Sequence, residues 1–164
     1  MDNWKWMGGR PQYADFRGKD KKDFWKDKQL KEDYKKTVEY ILNRKNTISG
    51  IPYKEDKAIL AWELGNEIRD IPEDWCTDVA KFVKSIDKNH LLNDGSQYYK
   101  IPEWAFENPY IDVLSTHHYE KNPVDMLHNI RIAAKKAKGK KPYYVGEFGF
   151  INPEGLKAVA KGVI

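Results

Sequence analysis

Ala58-Ile59-Leu60-Ala61-Trp62-Glu63-Leu64-Gly65-Asn66-Glu67 is the stretch on which the fold turns. Residues 58–64 form an apolar run broken only by Glu63, the pattern of a strand covered on both faces. The run stops at a polar Gly-Asn-Glu triplet. Upstream, Tyr34, Val38, Ile41 and Leu42 recur at helical spacing, and Ser49-Gly50 supplies a stop. Downstream, Trp75, Val79, Phe82, Val83 and Ile86 line one side of a second helix. A short strand around residues 90–93 follows, then a turn at Asp94-Gly95 and a Pro-flanked segment with room for a short helix at most.

The same alternation continues to the end of the chain. IDVLST (111–116) reads as a buried strand, and Met126, Ile130, Ala133 and Ala137 mark the helix after it. PYYVGEFGF (142–150) is the last strand, and Leu156, Val159, Ala160 and Val163 open a final helix. Alternating strands and helices imply parallel βαβ units, in an open doubly wound sheet or in part of a (β/α)₈ barrel. No G-x-G-x-x-G loop follows any strand, so a nucleotide-binding open sheet has no support. Residues 1–29 lack sustained periodicity and read as one long aromatic and charged loop, with residues 30–164 as the βα units of a single partial domain. A loop of that length is usually functional or disordered.

Composition narrows the function classes. The 164 residues carry 29 basic and 25 acidic side chains, a net charge of +4 mixed in sign along the chain. That balance gives no argument for a nucleic-acid partner. Mean hydropathy is −0.82, and no apolar run approaches the roughly 18 residues of a membrane span. Aromatic residues reach 13%, a content that suits sugar stacking, base stacking or plain packing. Cys76 is the single cysteine, which excludes an internal disulfide framework and a Cys-rich zinc site. The opening MDNWKWMGG shows no basic region followed by an apolar stretch, so no signal peptide is visible.

Polar residues gather at three strand ends: Asn66-Glu67, His117-His118-Tyr119 and Glu147. In a parallel barrel that edge carries the active site. Two carboxylates on one rim can flank a glycosidic bond, one giving a proton to the leaving oxygen while the other attacks or activates water. His117 and His118 are adjacent on a strand and face opposite ways, so they do not chelate one metal together. No H-E-x-x-H occurs, and no metal or cofactor is expected. Glu63 reads as a structural group of a barrel interior, in need of a partner if buried. Trp4 and Trp6 suit either sugar platforms or core packing. AAKKAKGKKP (133–142) reads as a solvated helix end.

AWELGNE (61–67), HHY (117–119) and GEFG (146–149), in that order, resemble glycoside hydrolase family 5, of the clan of (β/α)₈ retaining glycosidases. WKWMGGRPQYADF (4–16), YILNRKNTISGIPYKEDKAILAWELGNE (40–67) and FVKSIDKNHLLNDGS (82–96) resemble its endo-β-1,4-mannanase branch. The resemblance implies Glu67 as acid/base, Glu147 as nucleophile, Asn66 on the sugar 2-OH, Tyr119 holding the nucleophile and His117 orienting the site. It implies a polysaccharide substrate, mannan or a related β-glycan, no cofactor, and a secreted, extracellular parent protein. A glucanase of the same family and a non-catalytic carbohydrate-binding remnant are the competing readings. One departure stands out: Ile68 occupies the place where the family commonly has proline. A whole barrel takes about 250 residues. On this mapping the chain is a partial barrel, about strands four to seven with their helices. Strands one to three and eight are missing, with the family's second-strand Arg and eighth-strand Trp.

Overall fold

The structure is a computed structural model that describes residues 8–96 and 99–163. Helix α1 (Arg10–Asp15), a 3₁₀ turn (Lys21–Asp23) and helix α2 (Lys28–Asn43) precede a second 3₁₀ turn (Tyr53–Glu55) and strand β1 (Ala61–Glu63). Then come α3 (Glu73–Ile86), β2 (Leu91–Asn93), α4 (Glu103–Glu107), β3 (Leu114–His118), α5 (Pro123–Ala137), β4 (Tyr143–Phe148) and α6 (Pro153–Val163). The α/β order is the expected one. The strands are shorter or shifted for local reasons. At the first, Asp56 accepts the amides of Ala58 and Ile59 and makes residues 56–59 a turn, leaving Leu60 78% exposed. β1 is not covered on both faces as its apolar run suggests.

The expected row of four strands is instead two parallel pairs, β1 with β2 and β3 with β4. A seam joins the pairs. The amides of Asp112 and Val113 donate to the Leu92 carbonyl at 2.9 and 3.3 Å, while the Asp112 carboxylate accepts the Leu92 amide at 2.8 Å. A side chain thus takes the position a strand carbonyl would hold, and the ladder stops there. The two pairs still share an inner face. Glu63 on β1 is exposed, not buried, and accepts from the Tyr144 hydroxyl of β4 at 2.6 Å; that hydroxyl in turn accepts from Asn93 of β2 at 3.3 Å. Glu63, expected as a structural group of a barrel interior and paired if buried, is exposed and takes part in this bridge.

Residues 8–29 are not one long loop. Asp20 accepts the Lys22 amide and Asp23 the Asp20 amide, a reciprocal cap on the first 3₁₀ turn. Tyr13, Phe24 and Trp25 from this segment pack edge-on or tilted with Tyr34 of α2 and the buried Trp75 of α3. Such contacts reach across some 50 positions and leave no periodic trace. The basic stretch 133–142 also does more than solvate a helix end. Lys141 donates to the carbonyls of Ala105 and Asn108 at 2.8 and 2.5 Å, Lys136 pairs with Glu103 and Lys140 with Glu107, so three of its lysines hold α4.

Asp87 closes α3 onto both strands of the first pair. Its carboxylate, 1% exposed, accepts from Trp62 Nε1 at 2.7 Å and the Asn89 amide at 2.8 Å, and lies 2.6 Å from His90 Nδ1. Burial pushes its pKa up, yet the hydrogen bonds from His90, Trp62 and two backbone amides outweigh burial and leave it below the usual carboxylate value. A depressed folded value means stability that is fully present above the unfolded carboxylate pKa of about 3.9 and lost as pH falls through the folded one. We expect Asp87→Asn to cost about 3 kcal/mol at neutral pH, since it leaves ring donors facing an amide. Urea unfolding of both proteins should show the gap narrowing below pH 4; an unchanged gap would refute the assignment.

Candidate active site

Glu67 sits just beyond β1 with φ of 57°, in the left-handed region that non-glycine residues rarely adopt. The turn is held from the next strand end. The Ile68 amide donates to the Gly95 carbonyl at 2.9 Å, and Ile68 pairs with Ser96 as an isolated parallel bridge. Proline at 68 would lack that N–H, so the departure from the family pattern has a local use here. Gly95 has φ of 73°, and a Cβ on it would fall 1.9 Å from the Gly65 carbonyl oxygen. Only glycine lets the two strand ends approach this closely.

A β-bulge aims the second carboxylate. Thr116 pairs with Val145 and His117 with Glu147, so Gly146 is skipped. Val145 packs with Met126, Ile130 and Val159 against the helices, whereas Tyr144 faces Glu63. Strict alternation from Tyr144 would turn Glu147 toward the helix side. The extra residue puts it on the inner face instead, beside His117. Gly146 leaves room for the imidazole: a Cβ there would lie 2.9 Å from His117 Nε2.

The result is a tight constellation. His117 Nδ1 lies 3.2 Å from Glu67 Oε1 and 3.3 Å from Glu147 Oε2, and one donor atom from each residue falls within 4.8 Å of the others. Tyr119 donates to Glu147 Oε2 at 2.6 Å. That bond, reinforced by partial burial and by the negative charges of Glu147 and Glu67, pushes the phenol pKa up to about 12. Tyr119 therefore stays a donor at any ordinary pH. His118 points the other way, as its neighbour position requires. It is fully buried with Nε2 2.7 Å from Thr116 Oγ1 and Nδ1 3.3 Å from Glu120, and burial lowers its pKa more than Glu120 raises it.

Four of the expected site residues, Glu67, His117, Tyr119 and Glu147, are thus brought together. Asn66 is half-buried and lines a neighbouring cleft of about 200 Å³, with Arg10, Tyr13, Trp25 and Trp75 on its other walls. Trp4 and Trp6 lie outside the described residues. Two features escaped the sequence reading. Phe150, 90% exposed, packs tilted against Tyr119 with ring centroids 4.9 Å apart. The three-donor cluster was invisible to a search for paired histidines, because its members come from three separate strand ends. One oxygen of each carboxyl group lies within 4.8 Å of the other, so the two glutamates face a common space.

Known proteins resemble this chain in sequence and fold. A family model described as GH family 5 beta-mannosidase-like matches residues 3–138. Mannan endo-1,4-beta-mannosidase 1 of Arabidopsis thaliana is 41% identical over 120 residues, 66% of this chain and 29% of that protein. Mannan endo-1,4-beta-mannosidase 4 of Solanum lycopersicum is 35% identical over 138 residues, 76% of this chain and 34% of that one. The chain thus spans about a third of the length of these curated relatives. The endo-1,4-beta-D-mannanase of Thermotoga petrophila superposes with a TM-score of 0.83 at 25% identity, over 98% of this chain and 58% of that one. Among the described residues, no helix is long and apolar enough to cross a membrane. With most of its length matched by the family model, the chain belongs to the β-mannosidase-like members of glycoside hydrolase family 5.

Proposed function

We propose that this chain supplies both catalytic carboxylates of a retaining endo-β-1,4-mannanase, as about strands four to seven of a (β/α)₈ barrel. The observation that carries the reading is the convergence of Glu67 and Glu147 on His117, with the Tyr119 hydroxyl on Glu147. A carboxylate that accepts a phenol hydrogen bond is held for attack, so Glu147 is the nucleophile. Its oxygen bonds to the anomeric carbon while Glu67 passes its proton to the leaving oxygen. Glu67, now a carboxylate, takes a proton from water, and that water displaces Glu147 from the sugar. His117 keeps the two side chains in register, and Asn66 reaches the sugar 2-OH from beside Glu67. Mannan, rather than glucan, is favoured by the relatives named above, which are mannanases by name.

The test is hydrolysis of linear β-1,4-mannan and β-1,4-glucan by the protein that carries this segment, with the anomer of the first product followed by NMR. Faster cleavage of mannan with β product first supports the proposal. An α product first, or preference for glucan, overturns it. A second measurement isolates Tyr119. A hydrogen bond to a charged group contributes about 1.5–3 kcal/mol. Tyr119→Phe should therefore lower kcat roughly 10- to 100-fold, with KM changed little. An unchanged kcat would remove Tyr119 from the site.

A further inference from the structure

We propose that Glu67, His117 and Glu147 together form a binding site for a divalent transition-metal ion of the Zn²⁺ or Cu²⁺ class. The donor set is one imidazole nitrogen and two carboxylate oxygens, which suits these ions and not Mg²⁺, whose preference is for all-oxygen octahedral shells. The geometry is close to what such an ion needs. Zinc bonds of about 2.0–2.2 Å at tetrahedral angles put neighbouring ligand atoms about 3.4 Å apart. His117 Nδ1 already stands 3.2 and 3.3 Å from the two carboxylate oxygens. The carboxylate oxygens themselves lie within 4.8 Å of each other, and the partly exposed Glu67 is the side chain with room to adjust toward an ion.

Rigidity is in the right place. The His117 side chain is only 6% exposed and anchors the apex, whereas those of Glu67 and Glu147 are 27% and 33% exposed and open to an arriving ion. The Tyr119 hydroxyl orients Glu147 as an outer hydrogen bond, a role ligand-supporting groups commonly play. Charge favours the exchange. Among the described residues the ion pairs of both glutamates run to His117, one ring nitrogen set between two carboxyl groups. A divalent ion takes the place of whatever protons the three donor atoms hold, releasing them to solvent, and its charge offsets the two carboxylates. Three protein ligands and an open position for water complete the site.

Zn²⁺ titrated at neutral pH into the protein that carries this segment, followed by calorimetry, tests this directly. The expected result is saturable uptake of one Zn²⁺ per chain, with no uptake of Mg²⁺ at the same concentrations. Glu67→Gln and Glu147→Gln keep the shape of the site and should each weaken Zn²⁺ binding at least roughly tenfold, as should His117→Ala. No saturable uptake overturns the proposal. So does uptake that persists unchanged in the paired glutamine variant, which would assign the ion to another histidine. If the hydrolase reading also holds, Zn²⁺ should block mannan hydrolysis and a chelator restore it. That last arm rests on the hydrolase reading; uptake of the ion needs no hydrolysis, so the two proposals fail separately.

Discussion

Replacing Glu147 by alanine is expected to lower turnover of β-1,4-mannan by roughly four orders of magnitude or more, and azide is expected to restore part of it with inverted configuration. The direction follows from what the side chain does. On the proposed mechanism Glu147 forms the bond to the anomeric carbon, so without it the first displacement has no partner on that face of the sugar. Alanine leaves a gap where the carboxylate stood. Azide, small and anionic, can enter the gap and attack the β-linked carbon from the same side, giving an α-glycosyl azide. Glu67 remains to protonate the leaving oxygen, so rescue does not require an activated leaving group. KM need not rise, because the variant removes an interaction made only in the transition state. A β-configured azide product from this variant would reverse the roles assigned to the two glutamates.

Much of that site was legible before any coordinates, for a physical reason. In parallel βα units the side chains at each strand's C-terminal end face one rim, so a Glu after β1, a His-x-Tyr at the end of β3 and a Glu near the end of β4 come to the same edge. The helices were legible too. Trp75, Val79 and Val83 fall on one face of α3 and are buried there, at 1%, 0% and 3% exposure. What stayed hidden depends on contacts with no sequence period. The bulge that turns Glu147 inward is a skipped residue in a ladder, and nothing in GEFG announces it. The left-handed φ of Glu67 is imposed by Gly95 and the Ile68 amide, from the end of a different strand. The order of residues 8–29 comes from aromatic rings meeting Tyr34 and Trp75. The seam between β2 and β3 hangs on the Asp112 carboxylate, which a strand pattern reads simply as a polar flank.

Glu67→Ala is expected to show the opposite signature, and the contrast separates acid/base from nucleophile. General acid–base catalysis by a positioned side chain contributes roughly 10²–10⁴-fold. On mannan, whose leaving sugar needs a proton, the whole of that factor should be lost. On an aryl mannoside with a dinitrophenol leaving group no proton is required, so Glu147 should attack at close to the normal rate. Water then meets a glycosyl-enzyme with no base to activate it, and the covalent intermediate should accumulate as a rapid burst of phenol followed by a slow phase. Azide needs no deprotonation. It should speed the slow phase and yield a β-glycosyl azide, the net result of two inversions. The variant also tests the strained turn. Alanine at φ of 57° lies in the same left-handed region as glutamate, so the lost carboxylate, not a changed backbone, accounts for the effect. Glu67→Gln, which keeps the side-chain shape, should therefore behave like Glu67→Ala with both leaving groups. If the burst were absent, or a fluorosugar inactivator labelled Glu67 in the unmodified protein, Glu67 would not be the acid/base.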